Sequence, residues 1–236
     1  MTGGGTTVLR RVRARFGDGA DRGISLAELI VAMMVFGLVI TIVSGTFVSL
    51  TRATSQASTV DANTRVASNG LAVLARTLRG ARTVPVAEGT ALPAFVEAKP
   101  ESVTFYTAVN LESSTSTRPR RVQFVLGNDR SLLERSTTAT LDAASNPVFG
   151  ATASSRTITA PLAVRRAGDA PLFTYLGING TPVPVDAAGA VATADLPLIT
   201  AVQISISVDR TTTMTSQGVT LRNRVGLPNL QRGATT

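Results

Sequence analysis

The 236 residues suffice for one domain with an appendage or for two small domains, and 44% apolar content with mean hydropathy +0.23 excludes a disordered chain. Cysteine and histidine are absent and Lys99 is the only lysine, which removes disulfides, thiolate nucleophiles, Cys-based metal sites and the commonest general base. The formal charge of +8 is a mild excess that by itself implies no nucleic-acid partner.

Residues 1–23 carry Arg10, Arg11, Arg13, Arg15 and Arg22 against Asp18 and Asp21, a net charge of +3. The next charge is Glu28, and from Leu29 to Thr51 there are 23 residues without one. That run exceeds the roughly 20 residues a helix needs to span hydrocarbon. The preceding arginines predict a cytoplasmic N-terminus and export of everything after about Leu50. A secretory signal peptide is a competing reading, because small residues (Ala53, Ser55, Ala57) follow the run. Its length favours an anchor that stays. Ser25 and Glu28 fit an S-x-x-E capping box, in which the acid lies in the first helical turn and suits the dipole. A carboxylate farther inside a bilayer helix costs roughly 2.5–3.5 kcal/mol and marks function.

The string "GDGADRG" followed by "ISLAELIVAMMVFGLVITIV" resembles the cleavage and methylation segment of type IV prepilins. In that family a basic leader ends in Gly, a prepilin peptidase cuts after it, the new N-terminus is methylated, and the fifth mature residue is Glu. The resemblance implies cleavage between Gly23 and Ile24, N-methylation of Ile24, and Glu28 as the assembly contact. Leu26 and Leu29 match the usual apolar places, and Gly37 matches a glycine common in pilin helices. Ile24 stands where Phe or Met is commoner, and Gly45 where many major pilins have Pro. The family implies that Glu28 attracts the N-terminal amine of a neighbouring subunit. The implied partners are other pilins or pseudopilins, the peptidase, and membrane lipid before assembly.

Beyond the apolar run, Ala53, Ala57, Val60, Thr64, Ala67, Leu71, Leu74 and Leu78 form one helical stripe, with Arg52, Asp61, Arg65 and Arg76 off it. This predicts a helix from Ser25 to Gly80, with burial from about Leu71 onward and termination by Gly80 and Pro85. The same stripe would serve a coiled-coil stalk of a membrane receptor. The expected organisation is a leader over 1–23, a transmembrane or filament-core half over 24–51, an amphipathic continuation over 52–82, and a β-rich domain over 85–236.

That last segment is dominated by period-two patterning. "SVTFYTAV" alternates Val103, Phe105, Thr107 and Val109 against Ser102, Thr104, Tyr106 and Ala108. "RVQFVLGNDRSLLERS" reads as a hairpin turning at Gly127–Arg130. "PLFTYLGI" is a further strand. "AVQISISVD" points Val202, Ile204, Ile206 and Val208 inward, and "GVTLRNRVGL" points Val219, Leu221 and Val225 one way. Together these predict an α+β fold, one antiparallel sheet with a wet face laid on the helix. "STTATLDAASNPVFGATASSRT" and "TPVPVDAAGAVATADLP" read as exposed loops. The strand order is similar to that of PilW-type minor pilins and J-type minor pseudopilins of type II secretion, which implies a type IV pilin-like fold and a low-copy subunit that helps prime a filament or sits near its tip; Glu28 argues against the tip-most place, where the family often lacks that acid.

Other chemistry is sparse. Arg118, Arg120 and Arg121 with Arg165 and Arg166 are a candidate basic patch for DNA, but no helix-turn-helix or aromatic stacking pattern accompanies them. Glu97 and Glu101 form an acid pair without other pocket residues. No acidic cluster has calcium-loop spacing. The expectation is a non-enzymatic assembly protein without cofactor or metal. The alternative is a single-pass membrane protein displaying a β-rich extracytoplasmic binding domain.

Overall fold

The computed structural model describes residues 24–87, 89–107, 118–151, 154–159, 161–165, 168–209 and 218–231. The first element is a single helix, α1 (Leu26–Arg79), within one residue of the expected bounds at each end. It ends where Gly80 and Ala81 close tighter turns onto Thr77 and Leu78. Its last carbonyls are covered by Asn229, whose Nδ2 donates to Arg79 O at 3.4 Å and Ala81 O at 3.3 Å. The chain divides after Thr54 into two compact units.

In the second unit α1 is followed by ten strands: β1 (Phe95–Ala98), β2 (Ser102–Thr107), β3 (Arg120–Leu126), β4 (Leu132–Thr138), β5 (Thr140–Leu141), β6 (Pro147–Val148), β7 (Ser154–Thr159), β8 (Phe173–Leu176), β9 (Ala201–Val208) and β10 (Val219–Gly226). A short helix, α2 (Pro228–Gln231), closes the described chain. All pairings are antiparallel. The expected single sheet is in fact two main sheets, of order β1-β2-β3-β4-β7 and β10-β9-β8, with β5-β6 a separate ribbon. They meet through irregular chain: Phe173 N donates to Pro100 O at 3.0 Å, Leu162 N to Arg130 O at 2.9 Å, and Ala163 N to Ser207 O at 2.8 Å.

The hairpin is as expected. Gly127 N donates to Ser131 O at 2.8 Å, and Arg130 takes the left-handed conformation that the turn demands, φ 61°. Val202, Ile204, Ile206 and Val208 are wholly buried, as their alternation predicts. Phe95, Phe105 and Phe124 form an aromatic row across β1, β2 and β3, with ring centroids 6.0 and 5.9 Å apart. These side chains meet Leu71, Leu74 and Leu78 of α1 in one core.

The helix buries more than the stripe predicts. Burial begins at Asn63 and includes Gly70, Ala75 and Thr77, because strands of both sheets flank α1. A side chain on Gly70 would strike the methyl of Thr159 in β7 and lie 3.3 Å from Ile206 Cδ1 in β9, so glycine sets this close approach. Asn63 is anomalous. It is fully buried, and neither Oδ1 nor Nδ2 has a hydrogen-bond partner among the described residues. Burying an unsatisfied amide costs about 1–3 kcal/mol, and leucine is also the better helix former. Asn63→Leu is therefore expected to stabilise the protein by about 2 kcal/mol, read as a higher denaturation midpoint; a lower midpoint would show that the amide is satisfied.

Two further expectations are corrected. The segment expected to be loop contains β7, a strand with only one large apolar side chain. It is held on β4 by polar pairs, Ser154 Oγ to Ser136 Oγ at 2.9 Å and Arg156 Nη2 to Glu134 Oε2 at 2.7 Å. The face of β2 expected to be wet is covered as well. Tyr106 is only 8% exposed because Phe149, just beyond β6, lies on it at 4.7 Å between ring centroids.

Tyr175 in β8 ties the two sheets together. Its buried hydroxyl donates to Lys99 O at 2.7 Å and contacts Ser102 O at 3.2 Å, at the β1–β2 turn. Burial, with the nearby charge of Glu97, pushes this phenol well above its ordinary range. The folded state thus favours the neutral form. Its contribution is complete below the unfolded value near 10 and is lost as pH rises above it. Tyr175→Phe is expected to cost about 1–2 kcal/mol at neutral pH and to flatten the loss of stability above about pH 10. Denaturant titrations of both proteins from pH 8 to 11.5 check this, and parallel alkaline limbs would contradict it.

Candidate functional site in the N-terminal helix

Ile24 and Ser25 lead into α1, and Leu29 N donates to Ser25 O at 3.0 Å, closing the first turn around Glu28. The capping-box bonds are not formed: among the described residues neither the Ser25 hydroxyl nor the Glu28 carboxylate has a hydrogen-bond partner. Ile24 is 73% exposed, and Glu28 is also exposed. Gly23 and the rest of the basic leader lie outside the described residues.

Every residue from Ile24 to Ser58 is exposed on this chain. The exposed set includes Leu29, Ile30, Met33, Met34, Phe36 and Phe47. An apolar surface of this extent is unstable in water and must be covered by lipid or protein. The helix is long and apolar enough to cross a membrane, with a mean hydropathy of 2.6 over its most apolar stretch.

Three hydroxyls within this stretch are satisfied by the helix itself. Thr41, Thr46 and Thr51 donate their hydroxyls to the carbonyls of Gly37, Ile42 and Phe47, at 2.8–2.9 Å. Such back-bonding hides each hydroxyl against the helix, as a water-free environment demands. These threonines escaped the sequence reading, although each stands four residues after its acceptor. Glu28 is left as the only charge between Ile24 and Thr51.

The β domain offers less. The candidate basic patch is dispersed. Neighbours on a strand face opposite ways, so Arg120 is buried and donates to Ser136 Oγ at 2.6 Å. Arg121 points to the other face, bonding Gly150 O at 3.1 Å with its guanidinium 5.8 Å from the Phe149 ring centre. Arg165 is exposed, and Arg166 lies outside the described residues. Of the acid pair, Glu97 is bound to Lys99, and Glu101 stands 4.0 Å from Arg130. A cleft of about 590 Å³ is lined by Glu101, Arg130, Arg165, Asp169 and Asp209. Its Arg130 already donates to Leu162 O and Ala163 O.

Helix and domain together define a chain with one membrane-length N-terminal helix and an antiparallel α+β domain. Among family models, curated proteins and solved structures, none matches it.

Proposed function

We propose that this chain is a minor pilin or pseudopilin, a structural subunit built into a type IV pilus or a type II secretion-like filament, which it primes. The carrying observation is one arrangement: Gly23 at the end of a basic leader, Glu28 five residues on, and then 23 residues without charge. The exposure of the Glu28 carboxylate, and its lack of a partner among the described residues, support the reading.

In this reading the leader stays in the cytoplasm while α1 spans the membrane and the β domain lies outside. Prepilin peptidase cuts between Gly23 and Ile24, and Ile24 is then N-methylated. The new amine of one subunit pairs with Glu28 of a neighbour as the helices leave lipid for a filament core. In that low-dielectric setting the gross attraction is several kcal/mol, offset by desolvation of both charges. The larger effect is registry, because any other axial position strands a buried acid.

The mass of the mature protein from membranes of its own host tests this. Loss of residues 1–23 and a methyl group on Ile24 are expected, with Gly23→Arg leaving the leader attached. An intact N-terminus on membrane-bound protein would instead favour a single-pass display protein. Cleavage near Ala57 would indicate a secreted domain.

A further inference from the structure

The two main sheets have four outer edges, and three carry features that disfavour pairing. β1 is four residues long and carries a register shift between Phe95 and Glu97, and Val191 N donates to its Ala98 O at 2.9 Å. β7 carries a register shift where it meets Leu132 and Leu133 of β4. β8 is capped by its own following loop, Val183 N donating to Tyr175 O at 3.0 Å, with a further bridge between Leu176 and Pro182. Bulges, short strands and covering loops are the ordinary protections of a sheet edge.

Among the described residues β10 has none of these. It pairs with β9 without interruption from Val219↔Val208 to Gly226↔Ala201. On β9, Ser205 N donates toward Leu172 on the β8 side. By antiparallel alternation, Val202, Ile204, Ile206 and Val208 therefore bond β10 through Val225, Asn223, Leu221 and Val219. Thr220, Arg222, Arg224 and Gly226 are left with N–H and C=O directed outward, and all four are exposed. Arg222 and Arg224 make no ion pair among the described residues. The Arg224 guanidinium is nonetheless placed: it lies against Gly180, where an added Cβ would stand 2.6 Å from Nη1 and 2.7 Å from Nη2. Gly180 has φ 79°, so this turn has two reasons to hold glycine.

We propose that the open edge of β10 receives an extended acidic segment of another protein chain as an added antiparallel strand, with carboxylates at alternate positions opposite Arg222 and Arg224. The outward row of N–H and C=O groups matches another backbone. The arginines, about 6.7 Å apart along the strand, select the side chains that face them. A second β10 does not fit. In antiparallel self-pairing centred anywhere from Leu221 to Val225 with the same faces aligned, an arginine lies opposite or diagonal to an arginine, which repels. A nucleic acid satisfies the arginines but not the alternating donors and acceptors.

The test uses the full chain in detergent micelles and a fluorescent octapeptide with glutamate at every second position. Saturable binding is expected. It should be lost when the inward-facing amides of the peptide are N-methylated, and weakened at least about tenfold by Arg222→Glu or Arg224→Glu, where attraction becomes repulsion. Arg165→Glu makes the same charge change elsewhere and should leave it intact. Three results overturn the proposal: no saturable binding, equal binding of the N-methylated peptide, or equally tight binding of a single-stranded oligonucleotide at the same arginines. Cross-linking of one β10 to another would overturn the choice of occupant. The N-methylation comparison is made on the unaltered protein, so it decides even if a variant misfolds.

Discussion

Glu28→Ala is expected to leave the protein in the membrane and to remove it from filaments. The two halves of that result have different physical origins. Removing an acid from the edge of an apolar run makes insertion easier, by up to roughly 2.5–3.5 kcal/mol if the group lies deep and by less at the interface. Loss from the filament therefore cannot reflect failed insertion. Within a packed bundle the methylated amine of Ile24 on a neighbour would lose its counter-charge. Stranding one member of a buried pair costs about 3–5 kcal/mol, or 100-fold and more in incorporation. Glu28→Gln separates charge from shape, since it keeps a hydrogen-bond acceptor and is expected to fall between the two. The measurement is the ratio of subunit in sheared filaments to subunit in membranes, for wild type and both variants. A Glu28→Ala ratio equal to wild type would remove the registry argument while leaving the membrane-length helix untouched.

The N-terminal helix was legible almost to the residue because its signals are local: a chargeless run, a 3.6-residue stripe and a terminating Gly80. β9 and β10 were legible for the same reason, since each alternates cleanly over eight residues. β7 was not. Among its six residues, Ser154–Thr159, only Ile158 is a large apolar one. What makes it a strand is a partner 20 residues away that supplies a carboxylate and a hydroxyl, and no local pattern encodes that. The split into two sheets was hidden likewise, because period-two patterning shows which face is buried but not which strands pair. Asn63 and Gly70 lie on the buried face of α1 yet look like breaks in an apolar stripe. Gly70 is explained only by the close approach of Thr159 and Ile206. For Glu28 the situation is reversed. The role proposed for it rests on the spacing from Gly23, whereas no contact among the described residues points to one.

Arg156→Ala is expected to be among the most destabilising single changes in the β domain, although arginine 156 is half exposed. Its Nη2 and Nε lie 2.7 and 3.2 Å from the same oxygen, Oε2 of Glu134. The Glu134 side chain is only 4% exposed, against 51% for its partner. Surface ion pairs contribute little because water replaces either partner. Here water reaches the arginine but barely reaches the acid, so truncation leaves a charge in the core with nothing to offset its desolvation. Removing one member of a buried pair costs about 3–5 kcal/mol, and the exposed arginine places this pair near the lower limit, about 3 kcal/mol. Replacing both members should behave differently. Glu134→Val with Arg156→Val removes the buried charge along with its partner and places β-branched side chains in cross-strand register. The double variant is expected to lie within about 1 kcal/mol of wild type, giving a coupling of 2 kcal/mol or more. Urea denaturation of wild type, both single variants and the double variant closes the cycle. Additive single effects would mean that Glu134 is satisfied by something other than arginine 156, and that β7 is held to β4 by its backbone ladder and the Ser154–Ser136 contact alone.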